Sequence, residues 1–267
     1  MSLITQHIQL GYAGNIVIDD LSVQIPQQQI TALIGPNGCG KSTLLRGLAG
    51  LLEPQKGQVA LQDKAMSDWS RQALALQIAM LPQKPVAPDG VLVRQLVSYG
   101  RFPYQGLLRS ASREDQEVVE WAMDKTGISH YADKPVQALS GGEQQRVWIA
   151  MAIAQQATIL LLDEPTTYLD WGHQLEILEL LCQLNREQGL TVVMSLHDLN
   201  QAAQYSDNVI AMEQGQLIAQ GTPVQVITPR LLNRVFKVRA QVVPQDNGKP
   251  YCIAQGTVST ADLAVAS

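Results

Sequence analysis

Aromatic side chains make up only 5% of this 267-residue chain, and Cys39, Cys182 and Cys252 are its only thiols. The cysteines show no paired spacing, which argues against a zinc ligand set or a disulfide framework and leads us to expect a reducing compartment. Basic residues are outnumbered, 19 Lys and Arg against 24 Asp and Glu, for a net charge of −5. A general nucleic-acid binder needs a basic surplus to neutralise phosphates, and that surplus is missing. The opening MSLITQHIQL lacks the basic-then-apolar order of a signal peptide. The longest apolar pieces, such as Val147–Ala154 and Ile159–Leu162, are far shorter than a bilayer span. The expectation is a soluble, cytoplasmic protein.

Aliphatic residues, by contrast, are abundant. Hydrophobic content of 46% is ample for a core, and few aromatics among many aliphatics suit an α/β protein with a buried parallel sheet. Strand-like runs are read at Leu3–Leu10, Ile16–Ile25, Ile30–Ile34, Gln58–Gln62, Ile78–Leu81, Ile159–Leu162 and Thr191–Ser195. Helical patterns follow Lys41 and recur at Val91–Tyr99, Arg113–Thr126, Gly141–Ala154, Gly172–Gln188 and Leu199–Tyr205. The stretch from about residue 84 to 155 is almost purely helical and reads as an insertion between core segments 1–83 and 156–240. Short elements are expected beyond Gly221, and the small, polar residues 256–267 read as a mobile tail after one domain of 1–255.

Three local patterns carry chemistry. Gly35-Pro36-Asn37-Gly38-Cys39-Gly40-Lys41-Ser42-Thr43 fits G-x-x-x-x-G-K-[ST] between the strand Ile30–Ile34 and a helix read at Leu44–Leu52. Its glycines let backbone N–H groups converge on phosphate oxygens, with the helix dipole adding positive field. Lys41 supplies charge to the β- and γ-phosphates, and the Ser42 hydroxyl can ligate Mg²⁺. Cys39 lies inside this loop, so a thiol reagent is expected to block nucleotide binding unless ATP is bound first; no catalytic role is assigned to the thiol. The second pattern is Ile159-Leu160-Leu161-Leu162-Asp163-Glu164, an apolar strand ending in two carboxylates at the sheet edge where open α/β folds bind ligands. Adjacent residues on a strand face opposite ways, so Asp163 can hold the Mg²⁺ shell while Glu164 polarises an attacking water. Alone, the same pair could be a strand-end turn with solvated acids.

The third pattern is Leu139-Ser140-Gly141-Gly142-Glu143. Ser140 and Glu143 have capping-box spacing ahead of a helix. The two glycines are unexplained by capping, because each costs about 1 kcal/mol against alanine inside a helix. Glycine at a helix start fits close approach of an anion, usually phosphate.

Together these patterns resemble the nucleotide-binding subunit of an ATP-binding cassette (ABC) transporter, from about Leu3 to the region of Phe236, with LSGGE as the specific element. The resemblance implies a P-loop ATPase fold with an N-terminal antiparallel β-subdomain and an inserted helical subdomain. It implies two copies meeting head to tail, with Ser140, Gly141, Gly142, Glu143 and Asp170 of one copy facing the ATP held by Gly35–Thr43 of the other. Cooperative ATPase kinetics follow from such a shared pocket. By the same resemblance Tyr12, otherwise an edge-strand aromatic, stacks on adenine. Gln83 joins Ser42 and Asp163 around Mg²⁺, and His197 contacts the γ-phosphate beside the catalytic Glu164. His7, His130 and His173 are read as structural. The implied partners are polytopic membrane permease subunits and, indirectly, a substrate-binding protein, which places the chain on the cytoplasmic face of the inner membrane. Arg101–Gly106 and the Thr166–Asp170 loop are similar to iron-chelate importer ATPases, with ferric siderophore as the expected cargo. Haem or cobalamin import, an exporter, a soluble non-transport ATPase and a small-molecule kinase remain as alternatives.

Overall fold

The computed structural model describes residues 3–105 and 111–258, which fall into two compact units, 3–63 with 193–258 and 64–105 with 111–192. Gly106 and residues 259–267, part of the anticipated cargo marker and most of the anticipated tail, lie outside the described residues.

The first unit begins with β1 (Leu3–Tyr12), β2 (Asn15–Leu21), β3 (Gln24–Ile25), β4 (Ile30–Ile34), α1 (Lys41–Leu48) and β5 (Lys56–Leu61). β1 pairs antiparallel with β2, β3 and β5, forming the N-terminal antiparallel sheet. The run expected as one strand over Ile16–Ile25 divides into β2 and β3, with Thr5 Oγ1 accepting from the Val23 N–H between them. α1 starts at Lys41 and ends at Leu48, earlier at both ends than expected.

The second unit holds β6 (Lys64–Ala65), α2 (Arg71–Ala75), β7 (Ile78–Leu81), α3 (Val93–Ser98), α4 (Arg113–Lys125), α5 (Gly141–Ala154), β8 (Ile159–Leu162) and α6 (Trp171–Gln188). β7 and β8 are parallel, in register from Ile78↔Ile159 to Leu81↔Leu162. The apolar residues of both strands need cover on two faces, as parallel strands do. The unit boundaries fall at 63/64 and 192/193. The Gln155 amide, just past α5, donates to the Ile78 carbonyl at 2.9 Å, and the Thr191 N–H donates to the Thr158 carbonyl at 3.0 Å. The helical segment is therefore stitched to its flanking strands.

Arg101 organises the helices of this unit. It is 2% exposed, yet its Nε donates to Asp115 Oδ1 at 2.9 Å, and its Nη1 donates to the Ala154 carbonyl and to Gln156 Oε1 at 2.8 and 2.9 Å. Its guanidinium lies 3.8 Å from the Tyr104 ring centroid. Asp115 also accepts from the Ser112 N–H and hydroxyl in the capping box of α4. Burial pushes the Asp115 carboxyl upward, but the hydrogen bonds from Ser112 and Arg101 outweigh it and hold it below the usual carboxylate range. Arg101, the first residue of the segment Arg101–Gly106, is thus a buried clamp joining a 3-10 turn, the start of α4 and the end of α5.

β9 (Thr191–Ser195) crosses the boundary between the units. The first unit then continues with α7 (Leu199–Tyr205), β10 (Asn208–Glu213), β11 (Gln216–Gly221), α8 (Pro223–Val226), α9 (Pro229–Phe236), β12 (Val238–Pro244) and β13 (Pro250–Thr257). β10 pairs parallel with β4 and antiparallel with β11, an arrangement absent from the sequence reading. β12 and β13 form a hairpin where only short elements are expected, and it carries the chain in strand through Thr257, past the anticipated tail start at Gly256. The hairpin is tied to α7. Asn200 Oδ1 accepts from the Cys252 N–H at 2.7 Å and its Nδ2 donates to the Cys252 carbonyl at 3.2 Å. Among the described residues, no helix is long and apolar enough to cross a membrane.

Candidate functional site

In the first unit, β4 feeds the loop Gly35–Gly40 and α1 begins at Lys41. Gly35 must be glycine: its φ is +151°, and a Cβ would stand 2.2 Å from the Met212 carbonyl oxygen on β10. Gly40 caps α1 with φ +106°. The buried Lys41 ammonium donates to the carbonyls of Gly35 and Pro36 at 2.8 and 3.2 Å, and the tip residues Asn37 and Gly38 are exposed. A cation whose partners here are the neutral carbonyls of Gly35 and Pro36 and the Cys39 sulfur, at the positive end of a helix, suits a polyphosphate. Thr43 is buried and Ser42 half-buried on the first turn. The Leu196 N–H donates to the Leu33 carbonyl at 3.1 Å, so His197 is set beside the strand that leads into the loop, and it is exposed. Asp198 then caps α7 through the N–H groups of Asn200 and Gln201. Tyr12, at the end of β1, is 40% exposed and has the Arg46 guanidinium 6.0 Å from its ring centroid.

The reactive thiol expected at Cys39 is not found. Cys39 is 3% exposed, with its Sγ 3.9 Å from Lys41 Nζ. Burial pushes its pKa up, and the neighbouring Lys41 offsets this only in part. Because the thiolate is the nucleophile, alkylation of Cys39 is expected to run at least about tenfold slower than that of an exposed thiol at neutral pH. Peptide mass spectrometry over a timed labelling course checks this; labelling at the free-thiol rate is the contrary result.

The second unit brings Asp163, Glu164 and Gln83 together at the C-terminal edge of the β7–β8 pair. The Asp163 N–H donates to the Leu81 carbonyl at 2.9 Å, extending the ladder by one residue and fixing the buried Asp163 beside the Pro82–Gln83 exit. Glu164 has φ +53°, which is uncommon for a non-glycine residue and turns its side chain out of the strand alternation. Gln83 Nε2 and Thr167 Oγ1 both donate to Glu164 Oε2, the latter at 3.1 Å, so the carboxylate has a fixed orientation. Thr167 is not among the residues expected from sequence; its i+3 spacing from Glu164 is the signal that marks it.

LSGGE sits at the start of α5 with the expected cap. Ser140 Oγ accepts from the Glu143 N–H at 3.4 Å, and Glu143 Oε2 accepts from the Ser140 N–H and hydroxyl at 2.7 and 2.8 Å. Tyr131, not anticipated, donates its hydroxyl to the other Glu143 oxygen. The Tyr131 hydroxyl, followed by the Ser140 donors, holds Glu143 down to about 2, so it is a fixed anion rather than a proton donor at neutral pH. Gly141 is exposed, and a Cβ there would meet nothing within 4 Å; Gly142 is buried. Asp170 caps α6, accepting from the His173 N–H at 3.0 Å. Its pKa is lowered, chiefly by that N–H and then by the His173 ring. Tyr168 is 78% exposed, with Lys84 Nζ 5.2 Å from its ring centroid.

Comparison with known proteins follows the same pattern. A family model described as "ABC transporter" matches residues 18–167. The iron(3+)-hydroxamate import ATP-binding protein FhuC of Bacillus subtilis (strain 168) is 49% identical over 254 residues, spanning 94% of each chain. The ferric enterobactin transport ATP-binding protein FepC of Escherichia coli (strain K12) is 45% identical over 238 residues, 89% of this chain and 88% of that one. Among solved structures, cbiO1 from Clostridium perfringens, part of the ABC transporter complex cbiONQ, is similar with a TM-score of 0.74 at 33% identity, over 87% of this chain and 92% of its own. The dimeric structure of MJ0796, a bacterial ABC transporter cassette, gives 0.73 at 26% identity, over 82% and 98%.

Proposed function

The chain belongs to the ABC transporter family as an ATP-hydrolysing, ATP-binding subunit, and from that premise we propose that it powers import of a ferric siderophore through a separate membrane permease. The observation that carries the mechanism is the LSGGE turn. It is a capped helix start where a Cβ on the exposed Gly141 would meet nothing within 4 Å among the described residues. A glycine that costs helix stability without crowding from those residues fits close approach of an anion from outside. The cargo class rests on the relatives, which are named for iron(3+)-hydroxamate and ferric enterobactin.

In this reading two copies meet head to tail. Loop Gly35–Thr43 of one copy holds ATP with Tyr12 against the adenine, and Ser140, Gly141, Gly142, Glu143 and Asp170 of the other copy close over the γ-phosphate. Mg²⁺, when bound, neutralises charge on the β- and γ-phosphates; Ser42, Gln83 and Asp163 are hard oxygen donors of the kind it takes. Glu164 accepts a proton from the attacking water while the water oxygen bonds to the γ-phosphorus. The bond to the β,γ-bridging oxygen breaks, giving ADP and inorganic phosphate. His197 hydrogen-bonds the γ-phosphate and helps to aim the water. Closure excludes bulk water, and loss of the γ-phosphate contact releases the dimer. The helical segment 84–155, entered at Gln83, passes this motion to the permease on the cytoplasmic face, with a substrate-binding protein delivering the chelate on the other side.

The test is uptake of labelled ferric siderophore in a strain lacking this chain. Wild type restores uptake and Ser140→Arg does not. The purified variant keeps monomer ATP affinity while ATP-driven dimerisation weakens by about tenfold or more, since a buried, unpaired arginine is forced into the shared pocket. Restoration of haem uptake instead of siderophore uptake reassigns the cargo. Normal dimerisation by Ser140→Arg overturns the shared site.

A further inference from the structure

One imidazole in the second unit touches both turns that the shared-site reading aims at the partner's nucleotide. His173 lies on the first turn of α6, and its Nδ1 is 2.8 Å from Asp170 Oδ2, while its own N–H donates to Asp170 Oδ1. The opposite edge of the ring packs on LSGGE. A Cβ added to Gly142 would stand 2.8 Å from His173 Cδ2 and 3.0 Å from Cγ. Gly142 has no left-handed backbone to explain it, so the glycine is required by the ring and not by its φ. Nor can the ring simply swing aside, because that breaks its contact with Asp170. Gly141 and Gly142 thus have different reasons to be glycine, one facing outward and one facing His173.

We propose that His173 is a positioning residue for the ATP-bound dimer: it sets the separation between the LSGGE turn and the Asp170 loop, so that both reach the partner's nucleotide as one preformed edge. Preorganising the two turns removes an ordering cost from every closure event. His173 touches neither the nucleotide nor the reacting atoms, and it acts through Gly142 and Asp170. The inference rests on the shared-site reading and assigns a role to a histidine that sequence alone files as structural.

The experiment is a mutant cycle in full-length protein. ATP-driven dimerisation is measured by sedimentation in a Glu164→Gln background, and kcat and KM are measured without that change. Gly142→Ala is expected to weaken dimerisation about tenfold, and His173→Ala severalfold, with monomer ATP affinity unchanged in both. In the double variant the vacated ring volume accepts the new methyl group, so Gly142→Ala costs little beyond His173→Ala. His173→Asn, which retains a polar group toward Asp170, is expected to stay within about twofold of wild type in kcat. Additive losses in the double variant, or wild-type dimerisation by His173→Ala, overturn the role of His173 alone. Absence of ATP-driven dimers in the Glu164→Gln parent itself overturns the shared-site reading and this inference with it.

Discussion

Glu164→Gln is expected to lower kcat by roughly a thousandfold, about 4 kcal/mol of barrier, while ATP affinity stays within about twofold of wild type. The substitution keeps the volume and hydrogen-bonding reach of the side chain but removes its capacity to take a proton. Its neighbourhood argues that the effect is chemical and not a collapse of the site. Thr167 still has an oxygen to donate to, and the Asp163 N–H holds the strand end through the Leu81 carbonyl regardless of residue 164. The left-handed backbone at Glu164 is as available to glutamine as to glutamate, so no new strain enters. Single-turnover hydrolysis with labelled ATP, beside equilibrium nucleotide binding, separates the two quantities. Turnover within about tenfold of wild type would remove Glu164 from the role of general base, because a base in that role contributes a hundredfold or more.

The second large effect concerns stability. Arg101→Ala is expected to destabilise the protein by about 3–5 kcal/mol, the cost of leaving a buried charge without its partner. Asp115 keeps its Ser112 contacts but loses the guanidinium, and the carbonyl of Ala154 and the Gln156 amide oxygen lose a donor as well. A second substitution, Asp115→Ala, is expected to recover part of the loss by removing the orphaned carboxylate. Full recovery is not expected, since Asp115 also caps α4. The pH dependence has a definite sign. A carboxylate held below its usual range contributes its stabilisation fully above the ordinary carboxylate pKa, and that contribution is lost as pH falls through the lowered value. The gap between wild type and Arg101→Ala should therefore narrow on acidification below about pH 4, where the Asp115 carboxylate of the unfolded chain begins to take up a proton while the folded one stays ionised. Urea unfolding at a series of pH values reads both the size and the trend. A constant gap down to pH 2 would show that the ion pair is not its source.

What the amino-acid sequence makes legible is chiefly local. Ser140 and Glu143 bond as their spacing predicts, and α5 and α7 have the bounds that their apolar patterns give. Glycines before Lys41 and acids after Leu162 mark turns whose chemistry is written within a few residues. The partners of those turns are another matter. β10 gives no signal of its own because Val209–Met212 is too short to show a period; its meaning comes from lying against β4, more than 170 residues earlier. The position of Asp170 relative to His173 is readable at i,i+3, but Gly142, on the other edge of the ring, lies in a different helix. Arg101 illustrates the same limit from the opposite side. Its segment is similar to that of iron-chelate importer ATPases, but nothing in the run of residues tells that the arginine lies in the interior of a helical layer. Cys39 sits where its loop predicts, yet only packing reveals that its sulfur faces inward.

The C-terminal hairpin has two long edges, and an open strand edge is a template for another chain. At Cys252 that edge is already occupied. The Asn200 carboxamide presents one acceptor and one donor to the main chain, as a neighbouring strand residue does. One side chain on α7 thus stands in for a missing third strand. A neighbouring copy therefore finds the β13 ladder closed at that point, and the sheet stops at two strands.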